Sequence, residues 1–260
     1  MKISIHIHSE YSADAQQTVR LIIDESKTLG YDAIAITDHN TVAGSMAARD
    51  LSPAEMEVII GAEFSTEKGH ILALFIDDTI EKSCRMNDHG YGREYDFGEL
   101  VTKVRGQGGL LFLAHPLQSS AVQDHSFIER LDGYELINAR INSSHMCIKA
   151  NQLSRVLKAN YPDKIQIGGS DAHTKSELKS VYMTSSAADL KQALQNSDSI
   201  HFRKSSMTKI RYNNMRNHQN KRLKYRIRQT AAMLFGLLYD LGTKIKGDTY
   251  EVIRVREEVK

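Results

Sequence analysis

The chain has only two cysteines in 260 residues, Cys84 and Cys147, which excludes a disulfide framework and leaves burial to stabilise the fold. Neither thiol has an activating neighbour in the sequence, so both are expected to be inert. No apolar stretch reaches the roughly 18–20 residues of a membrane span. The opening MKISIHIHSE lacks the roughly 7–15-residue apolar centre of a signal peptide. A cytoplasmic protein is expected. Net charge is small, +2, and excludes nothing about partners when taken over the whole chain. One acid-free region is strongly basic: between Arg203 and Arg228 there are ten Lys or Arg and no Asp or Glu.

What is present is an alternation of short apolar, β-branched runs with helical spacings. Ile3–His8, Ala33–Thr37, Val58–Phe64, Ile71–Ile76, Leu110–Ala114, Tyr134–Asn138 and Ile165–Ile167 read as seven strands. Val19, Ile22, Ile23, Ser26 and Leu29 share a helical face that stops at Gly30. A helix capped by Asn40 or Thr41 follows the second strand. Others begin at Phe97, span 144–159 and fall near 187–196, while 77–95 reads as a polar loop and 200–203 as extended. Strands alternating with helices predict parallel βαβ units, here an α/β barrel within residues 1–200. Residues 201–260 read as a basic and apolar, partly helical extension.

Ligand-type side chains recur at the ends of the apolar runs. His6 and His8 in HIHSEYSAD are two apart, so on a strand both face one side. His39 follows the second strand in AITDHN, Glu63 closes the third in GAEFST, and His115 follows the fifth in FLAHP. Asp171 and His173 in GGSDAH repeat the spacing of two. His70, in KGHILAL, is the exception, since it begins its strand. The carboxyl ends of strands are where ligands bind in parallel α/β folds. Buried imidazoles and carboxylates are costly unless paired or metal-bound, and one metal cluster accounts for all of them. Imidazole and carboxylate without thiolate suits Mn, Zn or Fe and excludes a cysteine-based structural zinc site.

These segments, in this order, resemble the PHP (polymerase and histidinol phosphatase) family of metal-dependent phosphoesterases. The resemblance runs from about residue 3 to 185. It implies a distorted (β/α)7 barrel with two or three divalent ions at the strand ends. It implies that His6, His8, Glu63 and Asp171 hold a first ion, that Asp14, His39 and His173 hold a second, and that His70 and His115 hold a third, with Glu63 bridging the first and third. Asp at position 14 is similar to members acting on nucleotides and oligonucleotides. Only 51 residues separate Glu63 from His115, fewer than in relatives with an insertion over the site, which implies an open cleft.

The expected activity is hydrolysis of phosphate esters by metal-activated water, with phosphomonoesters, nucleotides or short oligonucleotides as substrates. No protein nucleophile is then needed, and Asp171 and His173 are the nearest candidates for the general acid. Arg140, just past a strand in YELINAR, could grip a phosphate through its planar fork or make a surface ion pair. Asp38 could orient an imidazole or cap the next helix. His145 could touch substrate or stand in solvent. The basic run, interleaved with Tyr212 and Tyr225, could be a solvated face or could meet nucleic acid or anionic lipid. The apolar stretch from Ala231 to Leu241 could pack on the barrel, pair two subunits or lie at a membrane. Two other functions compete: a non-catalytic metal-binding regulatory module docked through its basic tail, and a histidinol-phosphate phosphatase.

Overall fold

Strand β1 (Lys2–Ile7) is buried from Ile3 onward and forms the seam of a closed ring. The computed structural model describes residues 1–84, 86–88, 93–206, 208–210, 212, 230–231, 233–238, 240–241 and 250–255. Strand β1 pairs with β2 (Ala33–Ile36), which pairs with β3 (Glu57–Thr66), all parallel. Next comes β4 (Gly69–Leu74), antiparallel to β3. Two short strands, β5 (Met86–Asp88) and β6 (Arg93–Tyr95), make a side hairpin that touches β3 at Thr66. The ring continues through β7 (Leu110–Leu113), β8 (Gly133–Asn138) and β9 (Ile165–Ala172), which returns to β1. Seven strands therefore close a barrel.

The expected all-parallel arrangement fails at β4, which is antiparallel to both β3 and β7. A turn of two residues, Glu67 and Lys68, reverses the chain, and Gly69 takes φ +127°, a conformation a side chain would strain. Reversal explains why His70 starts its strand. It is paired with Ser65 near the end of β3, on the rim where the parallel strands finish.

Helices cover the ring: α1 (Val19–Thr28), α2 (Ala43–Leu51), α3 (Thr79–Ser83), α4 (Phe97–Gly106), α5 (His125–Glu129), α6 (Ala139–Asn142), α7 (Cys147–Asn160) and α8 (Leu190–Gln195). In α1, Thr18 caps the start by accepting from the Leu21 N–H, and Gly30 at φ +67° ends it. Its buried face, Val19, Ile22 and Ile23, meets Ile7, Ile34, Ile36 and Ala48. Each such aliphatic side chain contributes roughly 1.5–3 kcal/mol by leaving water. The segment read as a loop at 77–95 contains α3, β5 and β6, too short to show a period. Helix α2 has Val42 at its cap without a side-chain bond, although Thr41 Oγ1 accepts from the Ala43 N–H.

Strand β10 (Val181–Thr184) runs antiparallel to the first residues of β1, and β11 (Ser199–Phe202) extends it outward. The extension drawn from residue 201 begins within β11 and returns to it as β12 (Glu251–Arg254). Helical residues occur among 230–241, and 213–229, with Tyr225, lie outside the described residues. Among the described residues no helix is long and apolar enough to cross a membrane.

Candidate metal centre

The nine residues implied by the resemblance meet at one end of the ring. Ligand-type atoms group as His8, Asp14, His39 and His173; as His6, His8 and Asp171; as His6, Glu63 and His115; and as His39, Glu63 and His70, within 4.8 Å of one another in each group. The sharing differs from the implied sets: His8 also joins Asp14, His39 and His173, while His115 groups with His6 and Glu63, and His70 groups with His39 and Glu63. Simple strand alternation does not deliver these side chains. The pairing of β1 shifts register between Ser4 and Ile7, around His6, whose φ is +60°. His115 (φ +28°), Asp171 (φ +48°) and Asn40 (φ +61°), next to His39, also take left-handed backbone. Each such residue costs roughly 1–3 kcal/mol, held by the surrounding ring, and the bulge re-aims the imidazole.

Glu63 is the hub and is 1% exposed. Its Oε1 lies 2.8 Å from His115 Nε2 and 2.9 Å from His70 Nδ1. Its Oε2 lies 3.3 Å from His6 Nε2, 3.2 Å from His8 Nε2 and 3.2 Å from His39 Nδ1. Asp14 Oδ2 accepts from His173 Nε2 at 2.9 Å and stands 3.5 Å from His39 Nε2. Asp171 Oδ1 lies 3.6 Å from His8 Nε2 and 3.8 Å from His6 Nε2.

So many titratable groups in a dry site perturb each other strongly. Burial opposes ionisation of Glu63, but the charge on His6 and the hydrogen bonds from His115 and His70 overcome it and hold the carboxyl well below its usual range. Burial pushes His6 down, yet Glu135, Glu63 and Asp171 together hold it well above the usual imidazole value. His39 is raised to about 9 because Asp14 and Glu63 outweigh its burial. His115 is raised by Glu63 against the same penalty. His8 is lowered to about 3 by burial and by His173 beside it.

His6 Nε2, His8 Nε2, His39 Nδ1, His115 Nδ1 and Glu63 Oε2 are buried and meet no hydrogen-bond partner. Buried polar atoms are normally satisfied, and lone pairs on four imidazoles and a carboxylate are the donor set of a divalent cation. The residues fit metal ions.

Several supporting residues escaped the sequence. Glu135, 1% exposed, accepts from His6 Nδ1 at 2.6 Å through Oε1, and from the His115 N–H at 2.6 Å and Asn138 Nδ2 at 2.9 Å through Oε2. It fixes the imidazole so that Nε2 faces the cluster. Its signal was a charge inside an apolar run, Tyr134-Glu135-Leu136. Glu177 accepts from the His173 N–H at 3.0 Å. Asp38 neither caps α2 nor touches an imidazole directly. It accepts from the Ser9 N–H and Oγ at 2.6 Å and from Ser12 Oγ at 2.9 Å, and Ser12 Oγ lies 3.1 Å from His8 Nδ1. Glu135→Gln keeps the shape but weakens the grip on His6, and metal affinity is expected to fall about 10–100-fold. Competition with a chelating dye reads this directly, and unchanged affinity would leave Glu135 a packing residue.

An open cleft of about 330 Å³ leads to the cluster, lined by Asp14, His39, Arg140, His145, Asp171 and His173 among others. Arg140 Nη1 is 2.6 Å from His173 Nδ1 and 4.0 Å from Asp171 Oδ1, while its Nε is 3.8 Å from Glu177 Oε1. It is a buried-edge cation in the site and not a surface ion pair. His145 is exposed at the mouth, its ring 5.8 Å from that of Phe235. Away from the centre, His125 stacks on Tyr161 and His201 on Tyr182.

The closed ring of seven strands with its extra strands matches the PHP-type barrel. The chain belongs to the PHP domain family, whose model matches residues 4–237. It is 34% identical over 152 residues to Uncharacterized protein MJ1587 of Methanocaldococcus jannaschii, covering 54% of this chain and 82% of that one. Two solved structures share the fold. PsfC from Pseudomonas syringae superposes with a TM-score of 0.59 at 15% identity, covering 85% of this chain and 98% of its own. A two-domain protein from Bacteroides vulgatus, containing a predicted PHP-like metal-dependent phosphoesterase, gives 0.55 at 17% identity, covering 84% and 69%.

Proposed function

We propose that this chain is a cytoplasmic hydrolase of phosphate esters, acting on phosphomonoesters, nucleotides or short oligonucleotides with two or three bound Mn, Zn or Fe ions. One observation carries this reading: five imidazoles, two from the end of β1 and three from elsewhere on the rim, surround the two oxygens of Glu63, and several of these buried atoms meet no hydrogen-bond partner. The ions, when bound, supply Lewis acidity toward a phosphoryl oxygen and a water made nucleophilic near neutral pH. His6, His8, Asp14, His39, Glu63, His70, His115, Asp171 and His173 would hold them. Arg140, at the cleft wall, would orient a phosphate through its guanidinium, exchanging its contact with His173 for phosphoryl oxygens. Asp171 and His173 line the same cleft, and in this reading they would deliver a proton to the leaving oxygen. An intact ligand set argues against a module that only binds metal.

The test is a turnover screen of purified protein loaded with Mn, Zn or Fe, using a generic phosphomonoester, a phosphodiester, nucleoside monophosphates and short RNA. Activity with at least one pair, removed by a chelator and restored by the ion, is the expected result. No turnover of any ester by fully loaded protein would sink the reading.

Metal loading is also expected to release protons. The neighbouring carboxylates raise His6, His39 and His115, which favours their protonated forms, and His39, raised to about 9, holds a proton at neutral pH. A ligand nitrogen must give its proton up, so affinity should climb as pH rises toward the His39 value of about 9. Titration in weakly buffered solution with a pH dye measures this, and an unchanged pH on loading would show that the imidazoles were already neutral.

A further inference from the structure

The described helical residues near the C-terminus carry leucines at 234, 237, 238 and 241, the i, i+3, i+4, i+7 spacing of one helix face. All four point outward, with 59%, 47%, 69% and 68% of their surface exposed. An apolar stripe of this size is unusual on a free surface. Leu237 also lines a second cleft, of about 510 Å³, beside the metal cleft and sharing Ile210 with it. Four cations line that cleft: Lys179, Arg203, Lys204 and Lys209. The acids in its wall are engaged. Asp240 accepts from Ser206 Oγ at 2.7 Å and from Thr208 N–H at 3.0 Å and Oγ1 at 2.8 Å, and Glu177 accepts from the His173 N–H at 3.0 Å.

We infer that this face docks on a membrane containing anionic phospholipids, with headgroup phosphates against the cation-lined cleft and the leucine stripe in the acyl boundary. Charge selects this occupant. Ten cations and no acid lie between Arg203 and Arg228, and Arg228 precedes Leu234 by only six residues in sequence. A second copy docked here would bring two such cation-lined clefts together, whereas an anionic bilayer neutralises one. Nucleic acid would satisfy the cations and leave four leucines in water. The combination of apolar stripe and neighbouring basic residues is that of an interfacial helix. His145, at the mouth of the metal cleft, touches Phe235 of the same helix, so docking would hold that mouth near the lipid surface. Docking and hydrolysis are separable, since Leu238 and Leu241 do not line the metal cleft.

The experiment is co-sedimentation of the full chain with vesicles of phosphatidylcholine alone and of phosphatidylcholine mixed with phosphatidylglycerol. Binding to the mixed vesicles is expected to be stronger by on the order of tenfold or more and to weaken with salt. Leu238→Ser with Leu241→Ser should remove it while leaving the unfolding midpoint and phosphoesterase rate on a soluble ester unchanged. Lys179→Glu with Lys209→Glu should weaken it through the other half of the surface. Equal binding to both vesicle types, or retention by the leucine variant, would overturn the inference. So would absence of vesicle binding by a chain that instead forms a dimer through this face, or that binds single-stranded RNA.

Discussion

Glu63→Gln is expected to abolish turnover, by about a thousandfold or more, in a protein that still folds as a barrel. The substitution keeps volume and shape at a side chain that is 1% exposed. It removes the charge to which five imidazoles are oriented, two of them through the same oxygen at 2.8 and 2.9 Å. Electrostatic assistance from bound ions amounts to several kcal/mol, and each ~1.4 kcal/mol is a factor of ten in rate. Metal content measured on the purified variant should fall with activity, because Glu63 belongs to two of the ligand groups. Asp171→Ala, at the other face of the cluster, should behave similarly. Wild-type rates in both variants, at full expression and unaltered secondary structure, would dismiss a catalytic cluster here.

The second large effect comes from a position without a side chain. Gly169 lies in β9 opposite Ile5, and a Cβ added there would stand 1.6 Å from Glu135 Oε1 and 3.1 Å from His6 Cβ. No rotamer change by Glu135 is free, since its oxygens hold His6, the His115 N–H and Asn138. Gly169→Ala should therefore cost roughly 1–3 kcal/mol from overpacking and a similar amount from the buried hydrogen bonds it breaks. Urea unfolding should show an earlier midpoint, and the metal ions should be lost from the folded fraction. A variant with wild-type midpoint and metal content would mean that Glu135 has room to move, and its role at His6 would then be weak.

Much of the barrel was legible because its strands are buried on both faces and read as continuous apolar runs, as in Ala33–Ile36 and Leu110–Leu113. Direction is not written in such a run. The reversal of β4 depends on a two-residue turn, and only the odd position of His70 hinted at it. Met86–Asp88 and Arg93–Tyr95 are three residues each and mostly polar, so no period announces them. Val181–Thr184 alternates buried and half-buried residues but is only four residues long, and Glu251–Arg254 pairs outside the closed ring, where burial does not enforce a pattern. At the rim, most ligand-type residues closely followed an apolar run, with His70 beginning one instead, and the structure brings all nine together. The backbone strain that aims His6, His115 and Asp171 left no trace in composition, because any residue type can be forced into a left-handed turn by its neighbours. Asp38 was ambiguous for a different reason: its partners Ser9 and Ser12 lie nearly thirty residues earlier, on the neighbouring loop.

The reversed strand has a consequence for how substrates could be selected. Because β3 and β4 turn back at the rim itself, residues inserted between Thr66 and Gly69 would emerge directly above the ligands without disturbing any helix or strand of the ring. Here that link is only Glu67 and Lys68, so nothing from this hairpin roofs the entrance. The same scaffold could exchange a long, polymeric ester for a small one by growing a loop at this single joint, leaving the chemistry beneath it untouched.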